Sequence, residues 1–192
     1  MSKKSIHLAY GVHIRYYDFQ VRIFMERTLI ILKPDAVQRG LMGEIISRFE
    51  RAGLKIIGMK MVHPSEEHYL HHYEAISKIK SRRGEEVYQR NTDFMMSSPV
   101  IAVVLEGVEA VELVRKMVGD TEPKSAAPGT IRGDYAHMTY EHANKLGGGL
   151  PNLIHASGDL KEAKEEIAHW FSESELFDYK TAHDHLTQNP RK

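Results

Sequence analysis

Hydrophobic positions along the chain come in short unbroken runs, separated by stretches in which apolar residues recur every three or four positions; this is the rhythm of strands alternating with helices. Thr28 to Leu32 is such a run, and Lys33-Pro34-Asp35 ends it, as a strand buried on both faces ends where it enters a loop. Ile45, Ile46, Phe49 and Ala52 then share one helical face, with Glu44, Arg48 and Arg51 outside it and Gly53 at the stop, which predicts a helix of about three turns. Leu54 to Val62 reads as a second strand. Pro64-Ser65 opens a helical pair, Glu66 to Ile76 and Gly84 to Met95, with Ser65 as the first cap. Val100 to Leu105 is a third buried strand, and Val108, Val111, Val114 and Met117 mark one face of a helix stopped at Gly119. Asn152 to Ser157 predicts a last strand, and Leu160, Ala163, Ile167 and Trp170 a final amphipathic helix.

Two right-handed βαβ units whose strands share one sheet give an α/β (α+β) fold: a ferredoxin-like βαββαβ arrangement with a four-stranded antiparallel sheet and helices on one face. Between the patterned segments, Asp120 to Tyr135 is rich in turn formers and long enough to predict a functional loop, and Gly147-Gly148-Gly149 makes a second flexible stretch. Residues 1–24 alternate only loosely, as an added strand or an extension ordered on contact would, and Met25 opens the first strong pattern. The sequence divides into this extension, a domain over residues 25–179, and a tail over 180–192. The polar segment from Asp178 onward, with Pro190, predicts a loose arm.

Composition narrows the chemistry. Lys+Arg and Asp+Glu both number 26, so no global field draws the chain to nucleic acid or to an anionic membrane, and any attraction for phosphate must be local. The absence of cysteine removes thiolate nucleophiles and disulfides and fits a reducing cytoplasm. No apolar run approaches the ~18 residues of a membrane span, and His13, Arg15, Asp18 and Arg22 interrupt the start of the chain where a signal peptide would be apolar.

Four ordered blocks carry more specific information: Thr28 to Asp35, Gly40 to Ile46, Pro128-Gly129-Thr130-Ile131-Arg132-Gly133-Asp134, and Asn152-Leu153-Ile154-His155-Ala156-Ser157. Together they resemble the nucleoside diphosphate kinases, over Met25 to about Tyr179. The resemblance implies transfer of the γ-phosphoryl group from a nucleoside triphosphate to a nucleoside diphosphate, by a ping-pong route through a phosphohistidine at His155. A neutral imidazole is a competent nucleophile near neutral pH, and one of 12 histidines in Asn-x-x-His-x-Ser stands apart from an ordinary surface or core histidine. Glu166 aligns with the acidic partner of that histidine; the plainer alternative is that Glu162 and Glu166 form the solvated face of the last helix. Ser157 aligns with a serine that supports the carboxylate. Lys33, Arg115 and Arg132 align with phosphate-binding cations, which by themselves would be ordinary surface charges, and Thr121 with a hydroxyl that contacts phosphate. Lys33 and Asn152 match residues used on the sugar hydroxyls, and Tyr73 one near the phosphates. The resemblance also implies Mg2+ held through the nucleotide phosphates with no direct protein ligand, broad base tolerance, no stable nucleic-acid partner, and a homo-oligomer, either hexamer or tetramer.

Some positions depart from the family pattern. The aromatic that stacks on the base has no secure equivalent; Val87 or Tyr88 falls nearest. Lys78 to Arg83 and about Ala136 to Pro151 read as insertions, and in His155-Ala156-Ser157-Gly158-Asp159 the acid is displaced by one position. His68, His71 and His72 recur at helical spacing and, like His183 and His185, are explained more simply by an exposed face and a polar tail than by a metal site. Two rivals remain: a nucleotide-binding module without turnover, which would tolerate loss of His155, and a histidine phosphotransfer protein, which would be a helical bundle poor in strands.

Overall fold

Hydrogen bonding along the apolar runs yields β1 (Met25–Leu32), β2 (Lys55–Val62), β3 (Val100–Val108) and β4 (Ile154–Ala156) in a computed structural model that describes residues 25–78, 81 and 83–187. The anticipated extension over 1–24, together with Ile79, Lys80, Arg82 and 188–192, lies outside the described residues. Among the described residues the four strands form one antiparallel sheet in the order β2-β3-β1-β4, the ferredoxin-like topology. The helices are α1 (Pro34–Gln38), α2 (Met42–Arg51), α3 (Glu66–Leu70), α4 (Glu85–Met96), α5 (Ala110–Val118), α6 (Ile131–Tyr135), α7 (Tyr140–Leu146), α8 (Leu160–Trp170) and α9 (Asp184–Thr187).

Helices cover both faces of the sheet, not one as the sequence pattern suggested. Ile30, Leu32, Val103 and Leu105 face Ile45 and Phe49 of α2 and Val114 and Val118 of α5. Leu29, Ile31, Ala102 and Val104 face the other way, onto Tyr69, Tyr88, Ile167 and Trp170 from α3, α4 and α8. The central strands have no polar side, so each needs an apolar layer above and below. Each buried Leu or Ile contributes ~1.5–3 kcal/mol relative to exposure.

Several local expectations are corrected. β3 runs on to Val108, so this residue belongs to the strand; Glu109 turns the corner with a left-handed φ of 48° and α5 starts at Ala110. The segment Asp120 to Tyr135 is not wholly irregular, because the Thr130 hydroxyl accepts from Gly133 N and caps α6. Likewise Thr139 caps α7 inside the stretch Ala136 to Pro151. Beyond α8 the chain is tied down rather than loose as far as it is described: Phe177 N donates to Ile57 O at 2.8 Å, Tyr179 Oη donates to Ile56 O at 2.7 Å, and Asp178 pairs with Lys55 at 3.0 Å.

Candidate active site

Sheet register sets which side chains meet. His155 pairs with Ile31 and therefore points to the same face, toward α3 and α8, while its neighbours Ile154 and Ala156 turn to the α2/α5 side. Lys33, two positions after Ile31, comes out on His155's side of the sheet, 6.0 Å from the centre of the Phe94 ring. A cavity of about 550 Å³ opens here, a size suited to a nucleotide. Its wall brings together Lys33, Tyr73, Arg115, Thr121, Arg132, Asn152 and His155 from widely separated parts of the chain. Glu166 and Ser157 are fully buried behind His155. Of the two residues considered for the base, Val87 lines the cavity, whereas Tyr88 is buried in the core.

Behind the imidazole a short chain of hydrogen bonds runs into the sheet. His155 Nε2 lies 2.8 Å from Glu166 Oε1, and the Ser157 hydroxyl donates to Glu166 Oε2 at 2.6 Å. Leu29 N donates to the same Ser157 oxygen at 3.2 Å, anchoring the chain to β1. Burial alone would raise the Glu166 carboxyl, but the charge and hydrogen bond of His155, the nearby His72 and the Ser157 hydroxyl outweigh it and hold the group at about 2. The carboxylate is therefore ionised at neutral pH, and Glu166 is not part of a solvated helix face.

In front of the imidazole are the cations. Burial and the positive charge of Arg132 lower Lys33 to about 8, with Asp35 partly offsetting them. Asp35 is itself raised by burial, against the pull of Lys33 and of backbone N–H groups including Leu153. Lys33 N donates to Leu153 O at 2.8 Å and Leu153 N to Asp35 Oδ2 at 2.9 Å, clamping Leu153 in a left-handed φ of 71° two residues before His155. That conformation costs an L side chain about 1–2 kcal/mol and delays the start of β4 to Ile154. Arg132 donates from Nε to Asn152 O, from Nη1 to Gly119 O and from Nη2 to Ile154 O, at 3.1, 2.8 and 2.5 Å. Burial lowers this guanidinium to about 10, opposed by Tyr140 and reinforced by Arg115. Asn152 Nδ2 donates to Thr121 O at 2.8 Å, and its Oδ1 is a buried acceptor with no partner among the described residues.

Sequence reasoning missed His72. With His68 and His71 it was read as an exposed helix face, yet from His71 to Ile76 the helix widens to π geometry and His72 is fully buried. Its ring stands edge-to-face against His155, with centroids 4.9 Å apart. His68 and His71 instead stack on either side of His169 of α8, at 3.8 and 4.4 Å. As for metals, His72, His155 and Glu166 offer ligand atoms within 4.8 Å of one another, but hydrogen bonds already engage those atoms. The carboxylates in the cavity wall are Asp120 and Glu162. This donor set suits a magnesium ion resting chiefly on the oxygens of a bound polyphosphate. No described helix is long and apolar enough to cross a membrane.

Comparison with known proteins agrees with this geometry. The family model described as nucleoside diphosphate kinase matches residues 26–176. The nucleoside diphosphate kinase of Borreliella burgdorferi is 44% identical over 158 residues, 82% of this chain and 94% of that protein. That of Pyrococcus furiosus is 47% identical over 160 residues, 83% and 91% of the two chains. A solved transition-state mimic of the Borrelia burgdorferi enzyme with bound vanadate and ADP superposes with a TM-score of 0.83 at 41% identity, covering 87% of this chain and 99% of that one. A Halobacterium salinarum enzyme in complex with CDP gives 0.72 at 37% identity, covering 84% and 97%. A nucleotide-sized cavity with a carboxylate-tethered histidine at its base, matched over most of its length by such relatives, belongs to a chain of the nucleoside diphosphate kinase family.

Proposed function

We propose that His155 is the group through which this nucleoside diphosphate kinase passes the terminal phosphoryl group of a nucleoside triphosphate to a nucleoside diphosphate, with Nδ1 as the attacking nitrogen. The observation that carries it is the 2.8 Å contact between His155 Nε2 and the ionised Glu166. Glu166 accepts a hydrogen bond from Nε2–H, which fixes the tautomer and leaves the Nδ1 lone pair for phosphorus. In the first half-reaction the N–P bond forms as the bond from the γ-phosphorus to the β,γ-bridging oxygen breaks, and that oxygen leaves with its electron pair on the nucleoside diphosphate. The imidazole becomes cationic, and Glu166 balances the charge. In the second, a terminal oxygen of the incoming diphosphate attacks the same phosphorus and the N–P pair returns to Nδ1.

Lys33, Arg115 and Arg132 stabilise the charge on the migrating group, with Thr121 and Tyr73 beside the phosphates and Lys33 and Asn152 at the sugar. Ser157 keeps Glu166 in place. Mg2+ carried on the nucleotide phosphates supplies charge neutralisation, with Asp120 and Glu162 the nearby acidic groups. ADP and CDP, bound in structures of relatives, carry a purine and a pyrimidine, and we take nucleotides of both kinds as substrates here. The working unit is residues 25–179, acting as a cytoplasmic homo-oligomer, with 1–24 and 180–192 as appendages.

The test is to incubate the purified chain with γ-labelled ATP and magnesium and look for acid-labile label that moves to GDP. His155→Ala is expected to lose both labelling and transfer. Label persisting on that variant would end the proposal.

A further inference from the structure

We infer that His72 is a positioning residue for phosphoryl acceptance: a second imidazole, locked neutral by Trp170, that reserves the charge of Glu166 for His155. The inference rests on His155 being the residue phosphorylated. Glu166 Oε1 lies 2.8 Å from His155 Nε2 and 3.8 Å from His72 Nδ1, so one carboxylate oxygen faces two imidazoles. Were His72 to take a proton it would compete for that oxygen. It would also set a positive charge edge-on to a ring that must itself become positive on accepting phosphorus, with centroids 4.9 Å apart.

The surroundings prevent this. Trp170 Nε1 donates to His72 Nδ1 at 3.2 Å, occupying the lone pair that a second proton would need. An indole N–H is a donor only, so the polarity of this bond cannot reverse. The proton of the neutral ring is thereby placed on Nε2, which is buried and has no hydrogen-bond partner among the described residues. Burial first, then His155, His169 and His68, lower His72 to about 3, against the opposing pull of Glu166. The groups that face it are Glu166, His169 and Trp170 from α8, His155 from β4, and His68 and Tyr73 from α3 and its π continuation. An unpartnered buried N–H is costly, and an apolar residue of similar volume would avoid the cost. What an imidazole adds is an acceptor that holds Trp170, and through its edge-to-face packing it limits rotation of the His155 ring.

The experiment measures single-turnover phosphoenzyme formation with MgATP across pH 5 to 9, alongside Tm, for the full chain, Trp170→Phe, His72→Phe and the double variant. In Trp170→Phe the freed Nδ1 can be protonated beside Glu166, so the rate should gain an acid limb, falling about tenfold by pH ~5.5 beyond any fall in the unmodified chain. The KM for nucleotide should not change, and adding His72→Phe should abolish that limb. Normalised profiles of Trp170→Phe and the unmodified chain that superimpose, with only Tm lowered, would overturn the inference. Should Trp170→Phe fail to fold, nitrogen-15 imidazole spectra of the unmodified chain decide. His72 is expected to keep an unprotonated Nδ1 and a protonated Nε2 down to about pH 5, whereas titration near its ordinary value of 6.5 would sink the idea. Absence of any phosphoenzyme in the unmodified chain would instead count against His155 as the carrier, and so separates the two failures.

Discussion

Lys33 is asked to carry a full positive charge in a place that makes the charge hard to keep. Desolvation and Arg132 bring it to about 8, so in the empty protein it loses its proton as the pH rises through that value. A neutral amine neither attracts nor stabilises a polyphosphate; kcat/KM, which reports the free enzyme, should therefore show an alkaline limb near pH 8. Lys33→Arg should move that limb upward by a unit or more, even if the absolute rate falls, because a guanidinium keeps its proton. An alkaline limb unmoved in Lys33→Arg would assign it to another group. At this scale the sequence was informative wherever a motif fixed the neighbours. Lys33, Asn152 and His155 were named from their blocks and face one cavity. His72 was misread because its spacing grouped it with His68 and His71. His72 instead shares the inner face of Tyr69 and Tyr73, three positions after one and one before the other, while His71 stays exposed.

α8 carries Glu166 and Trp170 on its inner face, so whatever holds α8 holds the site. Its start is capped by Asp159, whose carboxylate accepts from Glu162 N at 2.8 Å, while Glu162 Oε2 accepts from Gly158 N at 2.8 Å. The acid displaced by one position in the sequence is thus an N-cap. Asp159→Ala should cost about 1 kcal/mol in a denaturant titration and leave labelling at His155 in place. Farther along, His169 is sandwiched between His68 and His71, and its ring nitrogen meets His68 O at 3.0 Å, joining α8 to α3. Burial, then His169, His71 and Lys60, depress His68 from 6.5 to about 4, and His169 is lowered too. The unfolded chain therefore binds more protons than the fold in this range. The stack's contribution is present above pH 6.5 and is lost as the pH falls towards about 4. Tm measured over that interval should fall less steeply in His68→Asn than in the unmodified chain; parallel curves would remove the stack as the cause. Strands and long helices were legible because their apolar period is strong, whereas α6 and α7 were not. Each is short, flanked by glycine or proline, and made by a threonine cap and by tertiary contact rather than by periodicity.

Across the whole molecule, the loop that follows α5 and the segment that bears the nucleophile are distant in sequence and are joined by the side chains of Asn152 and, above all, Arg132. Arg132 spends Nε, Nη1 and Nη2 on three carbonyls, Asn152 O, Gly119 O and Ile154 O, from both segments. The sequence suggested a phosphate cation there; the geometry adds a brace that closes one side of the cavity. The two tasks make different demands, since the phosphate needs a charge and the carbonyls need the planar fork of donors. Arg132→Ala removes both and leaves buried carbonyls without donors, at a cost on the order of 3 kcal/mol, or roughly 6–12 °C in Tm for a chain of this size. Arg132→Lys separates the two. A lysine restores the charge but bonds at most one or two of the carbonyls, so Tm should fall nearly as far as in the alanine variant while phosphoenzyme formation recovers in part. If Arg132→Lys instead keeps the full Tm and loses labelling, the brace is incidental and the guanidinium matters only to the phosphate.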